Sequence, residues 1–137
     1  MTTTTKGARV EAALIFAAAS KAARAAVEAC TPQPMIVGES VGLFSDRIDY
    51  SKPTYVVADG LCGFAWVRIR PARGAFVTWC KANNIGHNGY GGGWEIASWA
   101  FSGSNSQSYE KAMAAANAAA GVLKSFGITA YVDGRLD

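Results

Sequence analysis

Alanine-rich stretches with helical spacing alternate with short runs whose apolar residues recur at every second position. Ala8–Cys30 is dominated by alanine, the strongest helix former. Lys21, Arg24 and Glu28 share one face of that segment, and Val10, Leu14, Ala17 and Ala25 lie on the other. The pattern predicts a long helix that packs closely through small side chains. It follows a frayed terminus, Met1–Gly7, and stops at Thr31-Pro32-Gln33-Pro34. Met35-Ile36-Val37 predicts a short strand, and Glu39–Pro53 an irregular segment anchored by Leu43, Phe44, Ile48 and Tyr50.

Tyr55–Ala58 and Phe64–Arg70 predict two more strands. The turn-forming Asp59-Gly60-Leu61-Cys62-Gly63 between them predicts an antiparallel hairpin. Arg73–Asn83 predicts a helix that buries Phe76, Val77 and Cys80. His87–Gly93 is a glycine-rich loop, and Trp94–Phe101 a further strand. Ser108–Phe126 predicts a second alanine-rich helix with Tyr109, Met113, Ala116, Ala120 and Leu123 at core spacing, and Ile128–Val132 a last strand. The implied fold class is α+β. An N-terminal helix precedes a hairpin and a β-α-β-α-β run, giving a roughly four-stranded sheet with helices on one face. Residues 8–137 form one domain, with the first helix over 8–30 and the sheet-helix body over 35–137.

Strand residues alternate between faces. Ala65, Val67 and Ile69 fall on one side with Ile128, Ala130 and Val132, and predict the core. The other side carries Phe64, Trp66, Arg68, Arg70 and Tyr131, joined by Trp94 or Trp99. Rings beside guanidinium groups are suited to a nucleotide or single-stranded nucleic acid. Bases stack on rings for about 1–3 kcal/mol each, and arginines bind phosphates bidentately. The candidate ligand-binding residues are therefore Phe64, Trp66, Arg68, Arg70, Tyr131 and Trp94. The rings can equally pack beneath the first helix, as such faces often do. Covering both arginines would bury unpaired charge, so the helix must stop short of them or carboxylates such as Asp133 must pair with them.

Composition narrows the function classes. The 137 residues carry a net charge of only +3, too mild for a dedicated duplex-DNA binder. Charged residues make up 17%, against about 25% in typical domains, so the polar faces are thin, which leaves room for exposed alanine or for self-association. Cys30, Cys62 and Cys80 form no Cys-x-x-Cys pair, which points to a reducing cytoplasm rather than a disulfide framework. The run Ala12–Ala19 after Lys6 and Arg9 loosely imitates a signal peptide, but Glu11 and Lys21 bracket it and helical spacing continues beyond it. No apolar run reaches the roughly 20 residues of a membrane helix.

Catalytic signals are weak. The glycine-rich loop could cradle an anion, yet it precedes a strand and matches no phosphate-loop motif, so it reads as a turn. Ser102–Ser108 reads as helix capping, a geometry that can also hold a phosphate. Cys62 with His87 lacks any nucleophile signature. Asp46 with Asp49, or Asp59 with Glu95 and Asp133, are arbitrary metal sets. No catalytic residue, metal ligand or cofactor is assigned, and the chain reads as a binding protein rather than an enzyme.

Several blocks carry a resemblance. They are Pro34–Glu39, Ile48–Tyr55, Cys62–Ala72, Gly91-Gly92-Gly93-Trp94 with Gln107-Ser108, and Gly127–Asp137. Across residues 32–137 these resemble a group of small uncharacterised bacteriophage proteins, common in tailed phages of actinobacteria. The resemblance implies an accessory protein acting in the cytoplasm of an infected bacterium, on nucleic acid, a nucleotide signal or a host protein. It transfers no activity and no site residue. A self-associating structural protein and a nucleotide- or nucleic-acid-processing enzyme are the competing readings.

Overall fold

The computed structural model describes residues 5–40, 42, 47–57 and 60–137. The fold is α+β. Helix α1 (Thr5–Ala29) leads into strands β1 (Met35–Gly38) and β2 (Thr54–Val57). Then come β3 (Gly63–Ile69), α2 (Ala75–Ala82), β4 (His87–Asn88), β5 (Trp94–Ala97), α3 (Ser98–Ser102), α4 (Tyr109–Ser125) and β6 (Ala130–Leu136). The main sheet runs β4-β5-β3-β6, all antiparallel, and β1 pairs only with β2 in a separate two-stranded sheet.

Strand β3 is central because both of its edges are taken. Val67 pairs with Ile96 of β5 on one side and Val132 of β6 on the other. The expected hairpin between 55–58 and 64–70 therefore does not form. Met35 stands opposite Val57, so β2 finds its partner in β1 instead. The physical reason lies in face chemistry. Strands β5 and β6 place Trp94, Ile96 and Ala130 on the side that buries Ala65, Val67 and Ile69, whereas β2 has apolar residues on both faces and neither face is covered. Ala58 of the expected strand and Asp59 of the expected turn lie outside the described residues, as do Leu43, Phe44 and Asp46 of the irregular segment.

Helix α4 lies across β3 and β6, and α1 rests on α4, α3 and α2 rather than on the sheet. Ala19 and Ala23 of α1 and Ala116 and Ala119 of α4 are wholly buried. Methyl groups at these positions let the helices approach closely, and larger side chains would force them apart. The inward face of α1 is Ala12, Ile15, Ala19 and Ala23, whereas Val10 and Leu14 of the expected face are exposed. In a helix so rich in alanine, one leucine contributes less than the shape match of three alanines around Ile15. Phe16 joins the layers, with its ring 5.2 Å from Phe101 and 5.5 Å from Trp79.

The apolar run Ala12–Ala19 is folded into this core helix, and no helix is long and apolar enough to cross a membrane among the described residues. Helix α1 also begins earlier than expected, taking in Thr5–Gly7; Met1–Thr4 lie outside the described residues. Trp94–Phe101, expected as one strand, turns into α3 after Ala97.

Candidate functional site

The helices occupy one side of the main sheet, and a cleft opens beside β3 between the strand residues Phe64 and Trp66 and residues of the helices, among them Val27 of α1, Trp99 of α3 and Lys111 of α4. Alternation along β3 buries Gly63, Ala65, Val67 and Ile69 and turns Phe64, Trp66 and Arg68 to the other face. Cross-strand register extends that face. Arg135, Asp133 and Tyr131 of β6 stand opposite Phe64, Trp66 and Arg68, and Glu95 of β5 stands opposite Arg68. His87 of β4 stands opposite Glu95. Phe64, Trp66 and Arg68 thus share one sheet face, and Arg70 joins them at its end. The Arg68 and Arg70 stems both pass beside Gly93.

Trp94 does not belong to this face. It pairs with Ile69, lies on the helix side at 6% exposure, and donates its indole N–H to the Ile85 carbonyl at 3.0 Å. Alternation along Trp94-Glu95-Ile96-Ala97 explains the placement, since Trp94 and Ile96 share the apolar side. Trp99 takes the role left open. It projects from α3 at 65% exposure and lines the cleft.

Arg68 is held rather than free. Its Nη2 donates to Glu95 Oε1 at 3.2 Å, with the two side chains 21% and 10% exposed. Asp133 does not supply this partner; its Oδ1 accepts from the Gly134 N–H at 2.8 Å. The glycine-rich loop closes over the ion pair. Gly89 N–H donates to the Gly93 carbonyl at 2.8 Å, making the loop the turn of a β4–β5 hairpin. At Gly93, φ is +80° and a Cβ would sit 2.9 Å from Arg68 Cγ. At Gly89 it would meet Glu95 Oε1. Only glycine lets the backbone descend onto the arginine stem and the carboxylate. Arg70 reaches the same loop, donating to the Gly91 carbonyl at 3.3 Å.

The cleft opens beyond the ion pair and measures about 530 Å3. Phe64 and Trp66 line it together with Glu95, His87, Trp99 and the segment Ser102–Gln107. That segment is stiffened by a repeated device. The hydroxyls of Ser102, Ser104 and Ser106 accept from the N–H groups of Ser104, Ser106 and Ser108 at 3.1, 3.3 and 3.2 Å. Ser108 then caps α4 by accepting from Lys111 N–H at 3.3 Å, as expected for this stretch. Gly63 N–H to Gln107 O (3.0 Å) and Tyr109 N–H to Leu61 O (2.8 Å) fasten the segment to the start of β3. The wall is therefore rigid, as a binding surface must be.

Cations line the cleft. The Arg135 guanidinium lies over the Phe64 ring at 5.7 Å, and Lys111, which has an interaction of its own, is also among the cleft residues. Trp66 Nε1–H and Arg68 Nε–H are buried without an acceptor among the described residues, and Arg68, Arg70 and Tyr131 do not line the cleft. The cations at the cleft favour an electron-rich, anionic ligand over a cationic one. Glu95 uses only Oε1 in its bond to Arg68, and its other oxygen accepts no hydrogen bond from the described residues.

The geometry offers little for catalysis. His87 lines the cleft with Nδ1 2.9 Å from the Asn88 carbonyl oxygen, but Cys62 is not among the cleft residues. No three His, Cys, Asp or Glu side chains gather as a metal site among the described residues. Asp46 and Asp59 of the metal sets lie outside the described residues. Cys80 is buried in the core, and burial pushes its thiol up to about 12. No protein-family model, curated protein or solved structure matches this chain.

Proposed function

We propose that the protein is a non-enzymatic nucleotide-binding protein, and that the cleft between β3 and the serine-rich segment takes a single nucleotide. One observation carries this reading: a fixed cleft lined by Phe64, Trp66 and Trp99, with Arg135 and Lys111 among its residues. Its volume falls within the roughly 300–1,000 Å3 of small-ligand sites. A planar base gains about 1–3 kcal/mol per stacking contact, and the cations at the cleft bind the phosphate. Because Glu95 already engages Arg68, Arg135 supplies more of the phosphate contact than Arg68 does. Within this proposal the binding takes place in the cytoplasm of an infected bacterium, as the resemblance to phage proteins implies. Calorimetric titration with the common nucleoside 5′-monophosphates tests the reading. Saturable binding that weakens about 5- to 150-fold in Trp99→Ala, the equivalent of 1–3 kcal/mol of stacking, supports it. No binding by any of them refutes it.

A second reading rests on the two-stranded sheet. Ile36 and Val56 are exposed on one face, Val37 and Tyr55 on the other. A pair of strands is marginal alone in water, which favours self-association through this arm. Light scattering over a concentration series decides it, with a strict monomer as the contrary result.

A further inference from the structure

We infer that the base taken by the cleft is guanine, recognised through the Glu95 carboxylate; this rests on the nucleotide reading above. Glu95 is nine-tenths buried and lines the aromatic cleft. A carboxylate can accept about four hydrogen bonds, and Arg68 occupies one position on Oε1. The remaining capacity is purely accepting, so it selects a ligand edge made of donors. Guanine presents two adjacent donors, N1–H and the N2 amino group, spaced to meet a carboxylate. Adenine and cytosine present a donor beside a lone pair, which would face the carboxylate repulsively.

Charge decides against the other ligand for such a site, an organic cation in an aromatic cage. Arg68 neutralises Glu95, and Arg135 adds a positive charge beside the Phe64 ring. A neutral base edge on an anionic nucleotide satisfies both conditions. The discrimination is expected to be large, because a buried polar group left facing the wrong edge loses its hydration without replacement. The closing loop supports the same role. Gly89 keeps its backbone against Glu95 Oε1 and Gly93 packs on the Arg68 stem, so the carboxylate is fixed before any ligand arrives.

The test is a competition series on the unmodified full chain with guanosine, inosine, xanthosine and adenosine 5′-monophosphates. The inference predicts guanosine binding at least about 10-fold tighter than inosine, which lacks the N2 amine, given the strength of hydrogen bonds to charged groups. Xanthosine, with an oxygen at that position, should bind more weakly still. Glu95→Gln should bring guanosine and adenosine monophosphates within about 3-fold of each other, because the amide accepts at one atom only. Equal affinity for guanosine and adenosine monophosphates in the unmodified chain overturns the guanine assignment and leaves the nucleotide reading standing. Absence of binding by all of them overturns both. A guanosine-containing single-stranded oligonucleotide competing far more strongly than the free nucleotide assigns the same base chemistry to a nucleic acid rather than to a free nucleotide.

Discussion

Arg68 and Glu95 face each other across adjacent strands, with Nη2 3.2 Å from Oε1, beneath a loop that only glycine lets come so close. The pair sits on the sheet face free of helices, where it neutralises one carboxylate and fixes its position.

Breaking this pair from either side should cost stability. Arg68→Met leaves the Glu95 charge without its partner, and Glu95→Gln leaves the guanidinium with a neutral one. Each should cost about 1–3 kcal/mol, reflecting a charged hydrogen bond in a mostly buried setting. The double variant should cost at least about 1 kcal/mol less than the sum, since the two losses are one interaction. Urea denaturation of the four chains measures the coupling.

Two glycines of the same loop should respond differently. Gly93→Ala meets both a positive φ and the Arg68 stem, so it should cost about 2–4 kcal/mol. Gly91→Ala has φ +89° but open space around it, and should cost about 1–2 kcal/mol. Thermal denaturation checks the order.

Two tryptophans separate folding from binding. Trp94→Ala removes a core indole and should destabilise by about 3–5 kcal/mol. Trp99→Ala trims an exposed ring, so stability should stay within about 0.5 kcal/mol while nucleotide affinity falls. Denaturation and titration of both variants give the contrast.

Thiol chemistry should follow burial. Cys62 is exposed, Cys30 half-buried and Cys80 buried. The thiolate is the reactive species, so alkylation near neutral pH should modify Cys62 first and Cys80 only on unfolding. Burial pushes the native Cys80 thiol up to about 12, from 9.0 for a solvated thiol. Between those values the folded state binds more protons than the unfolded one, so stability falls as pH rises. The melting temperature should fall less steeply over this window in Cys80→Ala than in the parent chain.

The strand face was legible from the sequence because period-two alternation is a local property. Ala65, Val67 and Ile69 went inward, and Phe64, Trp66 and Arg68 outward, as the pattern implied. The same rule applied to Trp94-Glu95-Ile96 would have sent Trp94 to the core and brought Glu95 to Arg68's side. Strand partners were less legible. Tyr55–Ala58 lies nearest Phe64–Arg70 in sequence, yet β3's edges belong to strands from farther along the chain. The inward side of α1 was hidden by low contrast, because alanine marks a buried and an exposed position equally well. The cleft itself needed the serine-rich segment to fold back beside β3, a tertiary event that no local spacing records.

The most direct test uses the indole N–H signals of the four tryptophans, read by two-dimensional 15N–1H spectroscopy during titration with the common nucleoside 5′-monophosphates. Trp66 and Trp99 line the cleft, whereas Trp94 is buried on the helix side and Trp79 lies beside α1 near Arg9. The account predicts saturable shifts at Trp66 and Trp99 with Trp79 and Trp94 left in place. Shifts confined to Trp79 or Trp94, or no shift at all with any nucleotide, would contradict it.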